Sequence, residues 1–121
     1  YFGIMNTHKM HAKAFAALGH ETRLELFLVL VQAGAAGLNV GQISRMLSLP
    51  PSTLAHHLTM LVQAELVMQV RKGRTVICRA HYAQMDRLIE YLTKNCCTGT
   101  LNNEDADAAE MNSLEKEISD V

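Results

Sequence analysis

Cys96 and Cys97 are adjacent, and a third cysteine, Cys78, lies well before them. Neighbouring Cα atoms sit about 3.8 Å apart across a trans peptide, short of the roughly 4.4–6.8 Å that a disulfide normally spans. The pair therefore reads as a dithiol, two sulfurs side by side. Cys78 falls in an alternating stretch on the same side as Val76 and Ala80, and reads as a small buried hydrophobe. His8 and His11 share a helix face three residues apart; they are either solvated or a partial zinc or nickel site without a second pair of ligands. An odd cysteine count with no secretory leader points to a reducing cytoplasm.

A second grouping suits a polyanion. Arg71-Lys72-Gly73-Arg74 places three cations around a turn glycine. Such a tip can follow a nucleic-acid backbone or enter a minor groove, or it can simply guard edge strands. Upstream, Ser52, Thr53, His56, Thr59 and Gln63 lie off the stripe formed by Leu54, Leu58, Leu61 and Val62. Short hydroxyls and imidazoles on an otherwise apolar helix can bond phosphates or base edges in a major groove. Gln42 and Arg45, on the helix before, complete the candidate DNA contacts. His57 borders the apolar stripe and reads either as a core histidine satisfied by a backbone carbonyl or as a phosphate contact.

Charge is distributed unevenly. Residues 1–97 carry ten Lys/Arg against five Asp/Glu, whereas residues 98–121 carry one Lys against seven acids. A basic body with an acidic tail favours a nucleic-acid partner. At 121 residues and 49% hydrophobic, without tryptophan, the chain suits one helix-rich domain packed by aliphatic side chains. No apolar run reaches the roughly 18 residues of a membrane span.

The elements that must position these groups follow from periodicity and punctuation. Residues 7–18 read as a helix with Met10, Ala14, Phe15 and Leu18 on one stripe, stopped by Gly19 as a C′ glycine. Residues 20–33 read as a second helix, with Leu24, Phe27, Leu28 and Val31 inward. Asn39 and Gln42 have capping-box spacing and open a short third helix carrying Ile43, Met46 and Leu47. Ser48-Leu-Pro-Pro51 makes a turn, after which Ser52 or a neighbour caps a fourth helix over about 52–64. Two strands, 66–71 and 74–79, flank Lys72-Gly73. A last helix spans 83–97, with Met85, Leu88, Ile89 and Leu92 apolar. The first four residues, before Met5, read as a vector-derived remnant. Residues 5–97 form the domain. Residues 98–121 are an acidic tail, disordered or marginally helical through Ala106, Met111, Leu114 and Ile118. The expected fold is mainly α with a small β-hairpin wing, a winged helix-turn-helix.

Four blocks, taken in order, carry a family resemblance. They are Ala17-Leu-Gly-His-Glu-Thr-Arg-Leu24, Gln42-Ile-Ser-Arg-Met-Leu47, Pro51-Ser-Thr-Leu-Ala-His-His-Leu58 and Gly73-Arg-Thr-Val-Ile-Cys-Arg79. Together they resemble the ArsR/SmtB family of bacterial repressors. The resemblance implies a homodimer through the first and last helices, recognition of double-stranded operator DNA by 52–63, and a wing at 71–74. It also implies release of DNA when a metal or metalloid binds. The Cys-x-Cys of the arsenic and cadmium type is missing from Leu38-Asn-Val-Gly-Gln-Ile43, and Asp86 is not followed by the histidines of the zinc type. Asn95-Cys96-Cys97 resembles a subgroup that answers to trivalent arsenic. The resemblance thus implies Cys96 and Cys97 as ligands and trivalent arsenic as inducer, with no constitutive cofactor. Thiolates suit a soft ion, and two suffice for a monomethylated arsenical. Redox, persulfide or divalent-metal sensing is the alternative. No phosphate loop, zinc-protease motif or placed Ser/His/Asp set argues for an enzyme. An interaction-only winged helix would not need the basic tip.

Overall fold

The computed structural model describes residues 2–99, with side chains from residue 7. The marginal helix expected in the acidic tail lies outside the described residues. The chain divides into two compact units, one through Leu88 and one from Ile89. Five helices and three short strands are arranged as α1 (Phe2–Leu18), α2 (Glu21–Ala33), β1 (Leu38–Asn39), α3 (Val40–Leu47), α4 (Pro51–Gln63), β2 (Val67–Lys72), β3 (Thr75–Ala80) and α5 (Tyr82–Thr93). This is the winged helix-turn-helix order expected from sequence. No helix among the described residues is long and apolar enough to cross a membrane.

Local chemistry explains most boundaries. Gly19 ends α1 through a bond from its N–H to the Ala16 carbonyl at 3.2 Å, but without the left-handed φ of a C′ glycine. His20 then caps α2, its Nδ1 accepting from the Thr22 N–H at 3.2 Å. The capping box of α3 is complete: Asn39 Oδ1 accepts from the Gln42 N–H at 2.8 Å, and Gln42 Oε1 from the Asn39 N–H at 2.9 Å. Ser48 adopts a left-handed conformation after α3. Pro50 and Pro51 open α4 in place of the expected serine cap, because a proline at N1 loses no helix bond.

The sheet order is β1-β3-β2, all antiparallel. Lys72 pairs with Thr75, so the tip is Gly73-Arg74. Gly73 has φ +64°, the sign that a type II′ hairpin needs at its first central residue. Strand β1 is too short to have shown in the sequence pattern. It pairs Leu38 with Cys78 because Gly37, at φ +69°, lets the backbones approach; a Cβ there would stand 2.4 Å from the Cys78 oxygen.

The core of the first unit joins Leu26, Phe27 and Leu30 of α2 to Ile43, to Leu54 and Leu61 of α4, and to Leu66. Of the expected inner face of α2, Phe27 and Val31 do pack toward the core, whereas Leu24 and Leu28 do not. Leu24 and Leu28 are 43% and 48% exposed. The helix is apolar on nearly every side, so periodicity alone could not select the buried stripe. Met46 is also exposed. At the far end of α2, the Tyr82 hydroxyl donates to the Val31 carbonyl at 2.8 Å and satisfies a helix-end acceptor.

Candidate nucleic-acid interface

Helix α4 is seated by Leu54, Leu58 and Leu61, all buried. Its opposite side presents Ser52, Thr53, His56, Thr59 and Gln63, which lie outside the buried set. No side chain caps its first turn. The amides of Ser52 and Thr53 are therefore without an internal helical partner, and a helix start of this kind attracts phosphate. Thr59 Oγ1 donates back to the Ala55 carbonyl at 2.8 Å, which commits its hydroxyl hydrogen within the helix and leaves the oxygen free to accept.

Arg71, Lys72 and Arg74 at the wing are exposed, and so is Arg45 on α3. Gln42 is exposed too, but its Oε1 is committed to the α3 cap, which leaves its amide nitrogen as the available donor. Helix α3 and strand β2 both pack against α4. Between Glu25 and Asp86 the only acidic residue is Glu65, while five Arg/Lys lie in the same stretch. Half of the body's Lys/Arg, opposed by a single acid, thus belong to the segment that builds α3, α4 and the wing, the arrangement that draws in a polyanion.

His57 is the candidate contact that the structure turns away. It is only 8% exposed and belongs to the inner face of α4. Its neighbour is also not the backbone carbonyl that sequence suggested. Arg23 NH1 lies 3.5 Å from His57 Nδ1, and the His20 and His56 rings lie 5.0 and 5.8 Å away. Desolvation holds the His57 pKa below the ordinary histidine value, helped by charge repulsion from His20, Arg23 and His56. Arg23 also donates from Nε to the Ala17 carbonyl at 2.7 Å and from NH1 to Met60 Sδ at 3.3 Å. Sequence reasoning missed Arg23. Its signal was its place one turn before Leu26 and Phe27, legible only once the buried stripe of α2 is known.

Residues 18–70 match the helix-turn-helix domain family. An ArsR-like transcriptional regulator from Rhodococcus sp. RHA1 superposes with a TM-score of 0.67 at 26% identity, covering 93% of this chain and 95% of that one. The chain shares the winged helix-turn-helix fold of that ArsR-like regulator. The transcriptional repressor BigR from Xylella fastidiosa has the same fold, with TM-score 0.58, 22% identity, and coverage of 78% and 94%. So does a homodimeric winged helix-turn-helix DNA-binding domain from Mycobacterium bovis, a possible ArsR-family transcriptional regulator, with TM-score 0.60, 20% identity, and coverage of 76% and 85%. No curated protein matches the sequence. The solved structures that share this fold are named as transcriptional regulators.

The cysteines separate as expected for Cys78 and differently for the pair. Cys78 is fully buried, with Gln69 Nε2 at 3.7 Å from its sulfur. Burial pushes its thiol pKa up, and the Gln69 contact pulls it back in part. Helix α5 ends at Thr93, so Cys96 and Cys97 lie in a following turn rather than on the helix. The Cys96 N–H bonds to the Thr93 carbonyl at 2.9 Å, and Cys97 has φ +59°. Both are exposed, and their sulfurs stand 3.6 Å apart. Among the described residues, no three His, Cys, Asp or Glu side chains converge as a metal site. His11 Nδ1 sits 2.6 Å from the Thr7 carbonyl.

Proposed function

We propose that this chain is a homodimeric transcriptional repressor whose α4 reads operator DNA and whose Cys96–Cys97 pair binds trivalent arsenic to release it. The observation that carries the inducer is the 3.6 Å separation of two exposed sulfurs. Two thiolates bound at about 2.3 Å to one atom, at an angle of about 100°, stand about 3.5 Å apart. Cys78 is fully buried and offers no third thiolate at the surface. A monomethylated arsenical, which retains one carbon ligand, suits the pair best.

The dimer is supported by apolar surface on the first and last helices. Met10 of α1 and Ile89 and Leu92 of α5 are 55%, 55% and 68% exposed. The M. bovis relative is itself homodimeric. DNA reading is supported by the uncapped, acid-free α4 and the cationic wing tip. Release requires the arsenical to favour the DNA-free arrangement; equal affinity for both would shift nothing.

The test is release of a fluorescent promoter duplex on titration with monomethylated arsenite and with inorganic arsenite. Cys96→Ser and Cys97→Ser should each retain DNA binding and lose the response, whereas Cys78→Ser should keep the response to the methylated compound. A wild-type response in the double serine variant would place the inducer site elsewhere.

A further inference from the structure

We infer that His57 and Arg23 are positioning residues that form a proton-sensitive seat beneath α4, so that acidification weakens DNA binding when His57 takes up a proton. The inference rests on the reading of α4 as the DNA-contacting helix.

The geometry fixes the protonation state that the seat accepts. A guanidinium can only donate, so His57 Nδ1, 3.5 Å from Arg23 NH1, must present its lone pair to it. The neutral ring therefore carries its hydrogen on Nε2. A second proton at Nδ1 would set one N–H against another and bring two cations together. The charged or titratable groups acting on His57 are Arg23 of α2, His20 at the cap of α2, and His56 of α4 itself. Helices α1 and α3 and strand β2, which also pack near α4, contribute none. No carboxylate among the groups acting on the ring compensates the new charge.

Arg23 cannot withdraw without loss. Its Nε satisfies the Ala17 carbonyl, and its NH1 also meets Met60 Sδ. Met60 and His57 both belong to α4, so the same guanidinium ties that helix to the end of α1. Relief of the imidazolium comes more cheaply from a shift of α4 that lets water reach the ring. That shift moves Ser52, Thr53 and His56, the groups offered to the groove. The expected direction opposes the usual one, in which added positive charge near phosphate tightens binding.

The experiment compares dissociation constants for a duplex that the protein selects from a random pool, at constant ionic strength, between about pH 7.5 and about pH 5.5. Circular dichroism confirms that each variant is folded at both values. Wild type should weaken by at least about fivefold on acidification, the low end of ordinary coupling between sites. His57→Asn sets a non-titrating acceptor near the Nδ1 position, and its acid-to-neutral ratio should be one or less. Arg23→Gln, which removes the cation facing the ring, should shrink the wild-type ratio, while His56→Gln should leave it or increase it. A ratio in His57→Asn equal to that of wild type, or no acid weakening in wild type, overturns the inference while leaving DNA binding intact. Failure to select any duplex at neutral pH would instead overturn the reading of α4, and this inference with it.

Discussion

Arg23 Nε donates to the carbonyl oxygen of Ala17 at 2.7 Å, across the junction of α1 and α2. The acceptor lies in the last turn of α1, where a carbonyl has no helical partner and the helix dipole is negative. Removing a charged donor from such a bond costs about 2 kcal/mol. Arg23→Met should lower the urea midpoint accordingly with the slope unchanged. Arg23→Lys should recover less than half of this, since an ammonium cannot serve Ala17, His57 and Met60 from a planar fork.

The buried imidazole of His57 gives folding stability a pH dependence of defined sign. Its folded pKa lies below the ordinary 6.5, so the unfolded chain binds the proton at the higher pH. Stability from this group is complete above 6.5 and declines as the pH falls below it. Urea titrations across that window should show wild type losing stability faster than His57→Asn. Parallel curves would show that His57 does not sense the proton in the fold.

The wing cations should act on affinity rather than on sequence choice. Replacing Arg71, Lys72 or Arg74 with alanine should reduce the slope of log K against log salt by about one for every phosphate that the side chain neutralises. Alanine at Ser52 or Thr53 should instead change which base is preferred, as read by competition among single-base variants of the site. The opposite pattern would exchange the two assignments.

Two left-handed residues should respond in opposite ways to substitution. Glu65, at φ +62°, ends α4 with bonds from its own N–H to Val62 and from the Leu66 N–H to Leu61, the Schellman pattern that glycine serves best. Glu65→Gly should stabilise by about 1 kcal/mol. Gly37→Ala should destabilise by about 2 kcal/mol or more, since strain at φ +69° is joined by the 2.4 Å approach to the Cys78 oxygen. Thermal melts of the two variants should move to either side of wild type.

The thiols should react in two classes. Cys96 and Cys97 are exposed and Cys78 is buried with its thiol pKa raised. A disulfide reagent at neutral pH should consume two thiols rapidly in the native protein and the third only on unfolding. Fast reaction of Cys78 would mean that the β1–β3 pairing opens readily.

What the sequence determined is what short-range chemistry dictates. The Asn39–Gln42 box, the proline turn, the Gly73 tip and the Leu54/Leu58/Leu61 stripe each depend on residues within about one or two turns of each other, so the helix-turn-helix and wing were legible without coordinates. The polar face of α4 and the wing cations followed from the same local patterns. Tertiary structure decided the rest. It chose Leu26, Phe27 and Leu30 as the inner face of α2, because a helix with apolar residues on most of its sides leaves that choice to its partners. It added β1, whose two residues gain pairing only when Gly37 lets them reach β3. And it turned His57 inward onto Arg23, 34 residues away in the chain, where packing against α2 outweighs its nearness to the polar face.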